Sequence, residues 1–174
     1  MKAVMISIQP KWCELIASGK KTVEVRKTKP KLEMPFKCYI YMTAGDAVYP
    51  VTINGAPYTC SNVGGQCVIG EFVCDKMLES FLNNNDGWFV EKGCLTQKEI
   101  DEYQGDKAIL YGWHISNLVI YDKPRELSEF AKPCNHENDC CACDRWDYIG
   151  HRCYNEFTRP PQSWCYVEER SEGK

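Results

Sequence analysis

Apolar residues fill positions 3–8, with Ser7 and then Gln9 the polar breaks, which predicts a first strand over residues 3–9. Pro10 fits the first position of a helix, and Trp12, Leu15 and Ile16 then recur at i, i+3, i+4 as one apolar stripe. Gly19 stands where a helix-ending glycine belongs. A second strand is predicted over 21–28. Side chains alternate faces there, so Thr22, Glu24 and Arg26 share one side and Val23 and Val25 the other. A basic turn, Lys27-Thr28-Lys29-Pro30-Lys31, follows. Cys38-Tyr39-Ile40-Tyr41-Met42 reads as a strand of aromatic and branched residues.

Residues 44–66 hold Gly, Pro, Asn and Ser between short β-prone pieces, and Asn54-Gly55 is a hairpin signal. A hairpin or loop insertion is expected there. Residues 67–77 predict another strand and Asn83–Gly87 a turn. Thr96 with Glu99 forms a capping box, so a short helix is expected to about Gln104. Residues 107–121 predict one or two strands, Glu126–Phe130 a helical turn, and 163–168 a closing strand. Residues 134–153 are Cys-rich and irregular. The pattern is α+β: five to seven strands, two or three short helices, and a spacing that suggests a small barrel.

At 174 residues the simplest organisation is one domain with insertions. No apolar run approaches the roughly 20 residues of a membrane span, and no membrane partner is expected. The N-terminal run lacks the h-region and cleavage site of a signal peptide, so a cytoplasmic protein is expected. The net charge of −3 argues against strong non-specific binding to nucleic acid, but its distribution changes that picture. Residues 1–31 hold eight Lys or Arg against two Glu, a charge of +6, and the remainder holds thirteen basic against twenty-two acidic residues, −9. Such asymmetry suggests a focused anion-binding surface, against the plainer reading of a solvated lysine face.

Twelve cysteines are many for a reducing compartment, which points to metal, to buried packing, or to both. Cys13, Cys38, Cys67 and Cys74 sit in helix or strand patterns and read as small core residues. Cys140 and Cys143 have knuckle spacing. With Cys134 and Cys153 they make the best set for a structural, tetrahedral zinc, His136 or His151 being substitutes. A reduced or disulfide-linked loop is the alternative.

Lys21, Glu24 and Arg26 have three readings. They hold a phosphate or carboxylate, with Arg26 offering a planar fork. They run acid–base or nucleophilic chemistry through Lys21. Or they are a structural ion-pair network. Trp12, Tyr111, Trp113 and Trp164 offer a stacking platform for a base, although any one such aromatic is more often core.

The stretch Gly19-Lys20-Lys21-Thr22-Val23-Glu24-Val25-Arg26 reads G-x-K-x-x-E-x-R after a helix and resembles the signature of the ASCH domain family, relatives of the PUA-type RNA-binding barrel. Residues 112–124 and 159–168 look similar to later parts of that family. The resemblance implies a PUA-like pseudobarrel whose signature strand lines a cleft beside the helix. It also implies binding of RNA or a nucleotide in that basic cleft. Gln9, Lys11 and Ser163 lie in segments resembling the cleft edge, so the implied ligand-binding set is Gln9, Lys11, Lys21, Glu24, Arg26 and Ser163. One ASCH subfamily hydrolyses an acetyl amide on a cytidine base with a Lys, a Thr and a Glu. Here Lys21 and Glu24 stand at the two signature positions, with Glu in place of Thr. The alternative is therefore an amidohydrolase of an acylated nucleoside, with Lys21 and Glu24 catalytic and a supporting acid such as Glu71.

Overall fold

A computed structural model of the chain describes residues 3–44, 51–53, 56–58, 66–81, 87–133 and 155–169. In chain order the elements are β1 (Ala3–Ile8), α1 (Pro10–Ala17), β2 (Val23–Arg26), β3 (Phe36–Met42), β4 (Val51–Ile53), β5 (Ala56–Tyr58), β6 (Cys67–Cys74) and β7 (Met77–Phe81). Then come α2 (Trp88–Glu91), α3 (Gln97–Gln104), β8 (Ile109–His114), β9 (Ser116–Arg125), a 3-10 turn (Leu127–Glu129), β10 (Phe130–Lys132), β11 (Asn155–Glu156) and β12 (Trp164–Glu169). The class is mixed α+β and mostly sheet.

Seven strands form one sheet in the order β11-β10-β12-β1-β3-β6-β9, and three form a second in the order β2-β8-β7. β4 and β5 pair with each other, Val51 opposite Tyr58 and Ile53 opposite Ala56. β1 and β3 run parallel, and the chain crosses between them through α1 and β2. β12 runs antiparallel on the other side of β1, so the N- and C-terminal strands are neighbours at the centre of the large sheet.

Three expectations change. Twelve strands stand among the described residues instead of five to seven, because the expected hairpin region adds β4 and β5, β7 follows β6, and β10 and β11 follow the 3-10 turn. The predicted strand 67–77 ends at Cys74, and after Asp75 and Lys76 the chain starts β7 in the second sheet. Strand pairings among the described residues close no barrel; they form separate sheets.

β1 is buried throughout because the sheet is covered on both faces. Val4, Ile6 and Ile8 join Cys13 and Ile16 of α1, Cys38, Ile40 and Met42 of β3, and Trp113 of β8. Ala3 and Met5 point to the opposite face with Tyr39, Tyr41, Val68, Phe130 and Val167. A third cluster, Val23, Val25, Phe89, Ile100 and Leu110, packs the second sheet against α2 and α3. The buried line on α1 runs through Cys13 and Ile16, with Trp12 only half-buried on its flank. Gly19 has φ +72°, the left-handed conformation that lets the chain leave α1 and turn into the signature strand.

Cys13, Cys38 and Cys74 are buried free thiols, and burial raises the pKa of each. Cys67 is buried in the same core, as expected, but it is disulfide-bonded. The predicted zinc ligands Cys134, Cys140, Cys143 and Cys153, with His136 and His151, lie outside the described residues, as do Asn54 and Gly55.

Candidate functional site

β2 is an edge strand, and its two faces do different work. Glu24 sits opposite Trp113 and Arg26 opposite Tyr111, both pairs facing α1 and the large sheet. Val23 and Val25 face the other way into the cluster with Phe89. The alternation read from the sequence is thus the alternation found, but the charged face is not open: Lys21, Glu24 and Arg26 are 3%, 6% and 9% exposed.

Lys21 is placed before β2 begins. Its backbone N–H donates to Leu15 O (2.9 Å), which folds the chain back over the end of α1. Residues 92–94 then clasp the strand entry. Lys92 O accepts from Thr22 N (2.9 Å) and Val23 N (3.0 Å), and the Cys94 thiol donates to Lys20 O (3.4 Å). Within that clasp Lys21 Nζ donates to Gly93 O at 2.7 Å. Gly93 is required by space: a Cβ there would stand 2.4 Å from Phe89 O.

Glu24 lies between the two cations. Its Oε1 is 2.9 Å from Arg26 Nη2, and its Oε2 is 3.3 Å from Lys21 Nζ. Arg26 Nη2 also donates to Ser7 O (2.6 Å), and Nη1 reaches Ser163 Oγ (3.5 Å). Ser7 completes a bridge to the C-terminal segment, its Oγ donating to Pro161 O (2.6 Å) and its N–H to Ser163 O (2.8 Å). Arg26 Nε and the neighbouring Trp113 Nε1 have no hydrogen-bond partner, and Glu24 Oε2 has the ion pair with Lys21 but no hydrogen bond. Such orphans are uncommon in protein interiors and concentrate where function demands them.

The rim is aromatic and basic. Lys21 Nζ lies 5.1 Å from the centroid of the Trp12 ring, and Lys11 Nζ lies 4.2 Å from it. Lys11 also reaches Glu99 of α3 at 3.6 Å. On the far side Lys27 Nζ is 4.9 Å from the Tyr103 ring. Burial raises the pKa of the Tyr103 phenol; nearby Arg26 lowers it and Glu24 raises it, which marks Tyr103 as a neighbour of the buried group.

Of the residues expected at the site, Lys21, Glu24, Arg26 and Ser163 come together and Lys11 stands on the rim. Gln9 is exposed at the helix start, where its backbone carbonyl caps α1 while its side chain makes no capping bond. Trp113 is no stacking platform, being fully buried beneath the site. Glu71 is not the supporting acid: it pairs with Lys37 (2.9 Å) and accepts from the Tyr121 hydroxyl (2.6 Å), on the sheet face it shares with its cross-strand neighbour Tyr39. Ser7, Gly93 and Tyr103 were missed. Ser7 and Gly93 act through backbone atoms or packing, which no side-chain motif announces, and Tyr103 lies in a predicted helix whose position beside β2 only the fold reveals. Among the described residues no three His, Cys, Asp or Glu converge as metal ligands. No helix among them is long and apolar enough to cross a membrane.

Residues 6–59, which include the end of β1, α1, the signature strand and β3, match the family model of the ASCH domain. The chain has an ASCH fold. The ASCH protein of Zymomonas mobilis is 17% identical over 98% of this chain and 88% of its own, with a TM-score of 0.53. A tyrosine-to-phenylalanine variant of it is 21% identical over 73% of this chain and 77% of its own, with a TM-score of 0.52. At these identities the likeness to the Zymomonas ASCH structures is one of fold. No curated protein sequence matches the chain.

Proposed function

We propose that this ASCH-fold protein binds RNA or a nucleotide in the cleft built on the G-x-K-x-x-E-x-R strand. The observation that carries the reading is the buried group itself. Two cations and one carboxylate, each under a tenth exposed, leave one net positive charge in the interior; Arg26 Nε has no partner, and Glu24 Oε2 has only the 3.3 Å ion pair with Lys21. A purely structural ion-pair network would be expected to satisfy its own atoms, since each unpaired buried polar group costs about 1–3 kcal/mol. A ligand that brings negative charge and both accepts and donates hydrogen bonds answers all of these at once. The positive N-terminal block around the strand supports the same reading.

The test is binding of nucleotides and single-stranded RNA by the purified protein across a salt series. Affinity should fall as salt rises, and Arg26→Lys, which keeps the charge and loses the fork, should weaken binding at least several-fold in a folded protein. Unchanged affinity in that variant would remove the site assignment.

The close approach of Lys21 Nζ to Glu24 Oε2, 3.3 Å, favours a second reading, hydrolysis of an acylated nucleoside. There Glu24 would take the ammonium proton and free the amine. Turnover of such a nucleoside that disappears with Glu24→Gln would establish it over binding alone.

A further inference from the structure

We propose that the cleft is one end of a longer site, and that Tyr103 with Lys27 forms a second subsite holding the neighbouring nucleotide of a single-stranded RNA. This rests on the binding reading above and makes the ligand an oligonucleotide instead of a free nucleotide. Lys27 directly follows Arg26, so any chain that leaves the buried group along the strand meets it first. Its ammonium lies 4.9 Å from the ring of Tyr103, which is 37% exposed on the last turn of α3. A base can stack on such a ring whatever its sequence, while the lysine meets the phosphate.

The subsite is held in place from beneath. The Trp164 indole N–H donates to Thr28 Oγ1 (2.9 Å), and the backbone N–H of Lys31 donates to the Tyr166 hydroxyl (2.8 Å). Segment 27–31 is therefore pinned to the closing strand β12 and presents its lysines in advance of binding. Lys29 does not extend the track freely, because it is paired with Glu79 at 2.6 Å. Trp12, with Lys11 and Lys21 against it, stands at the other end of the signature strand. The signature is thus flanked at entry and exit by a lysine–aromatic pair.

The experiment compares a mononucleotide, a dinucleotide and a ten-nucleotide single-stranded RNA on the wild-type chain and on Tyr103→Leu, Tyr103→Phe and Lys27→Ala. The oligonucleotides should bind roughly tenfold or more tightly than the mononucleotide, the order expected for one added stacked base. Tyr103→Leu should abolish that advantage, whereas Tyr103→Phe should retain it. Lys27→Ala should reduce the salt slope for the oligonucleotide by about one. If Tyr103→Leu keeps the full advantage, or oligonucleotides bind no tighter than a mononucleotide whose binding Arg26→Lys weakens, the second subsite falls and the cleft stands. If Arg26→Lys alters no affinity at all, the cleft reading falls, and the subsite with it.

Discussion

At the level of single residues, β2 carries both a hydrophobic anchor and the polar site. Val23 is 1% exposed against Phe89, Ile100 and Leu110. Val23→Asp should therefore destabilise the protein by about 4 kcal/mol or more, since an unpaired carboxylate replaces packed methyls. A thermal melt indistinguishable from the parent would mean the strand faces the other way. Lys21→Ala should cost stability as well as binding, about 1–3 kcal/mol, because Gly93 O loses its donor and Glu24 one of its two cations. Denaturant titration checks this. The sequence pattern showed which residues of β2 lie together, since alternation follows from the backbone alone. It did not show that the charged side is covered, because much of the cover comes from residues 161–163 and 92–94, which are distant in sequence.

Among the elements, capping chemistry was the most legible. Thr96 and Glu99 make the full reciprocal box expected of them, and α3 runs from Gln97 to Gln104. α2 had no such signal, being four residues with neither a side-chain cap nor room for a helical period. The C-terminal strand is fastened by a polar network that no motif announced. Tyr39 donates to Glu169 Oε1 (2.7 Å), Arg125 reaches the same oxygen (2.7 Å) and also Glu129 (2.8 Å). Burial, then the hydrogen bond to Glu169, pushes the Tyr39 phenol well above its ordinary value. Tyr39→Phe should destabilise the protein by about 1 kcal/mol, read as a lower denaturation midpoint with unchanged slope.

The same groups set the response of the whole molecule to acid. Burial pushes the Glu169 carboxyl up, but hydrogen bonds from Tyr39 and Arg125 outweigh it and the net shift is downward. Asp75 is lowered chiefly by its hydrogen bond with His114, and Glu99 by the backbone and side chain of Thr96. Each carboxyl takes up its proton at lower pH in the folded chain than in the unfolded chain. The native state therefore binds fewer protons as pH falls through the ordinary values of 3.8 and 4.5. The stability these groups contribute is present above that range and is lost below it. Melting temperature should be flat from about pH 7 to pH 5 and fall below, and Tyr39→Phe should make the fall shallower. At this scale the sequence indicated class and an organisation of short strands, but not how the strands partition between sheets, because that depends on pairings between segments distant in sequence, such as β2 with β8 and β1 with β12.

One of those pairings has a consequence for synthesis. Ser7 bonds to Pro161 and Ser163, and Arg26 to Ser163, so the cleft is bounded by segments 137 and 154 residues apart. A nascent chain emerging from the ribosome carries the complete signature 137 residues before it has a Ser163 to place beside Arg26. The polar group around Arg26 is thus incomplete until β12 is inserted beside β1. A ligand held there would favour that closure and slow hydrogen exchange where β1 meets β12.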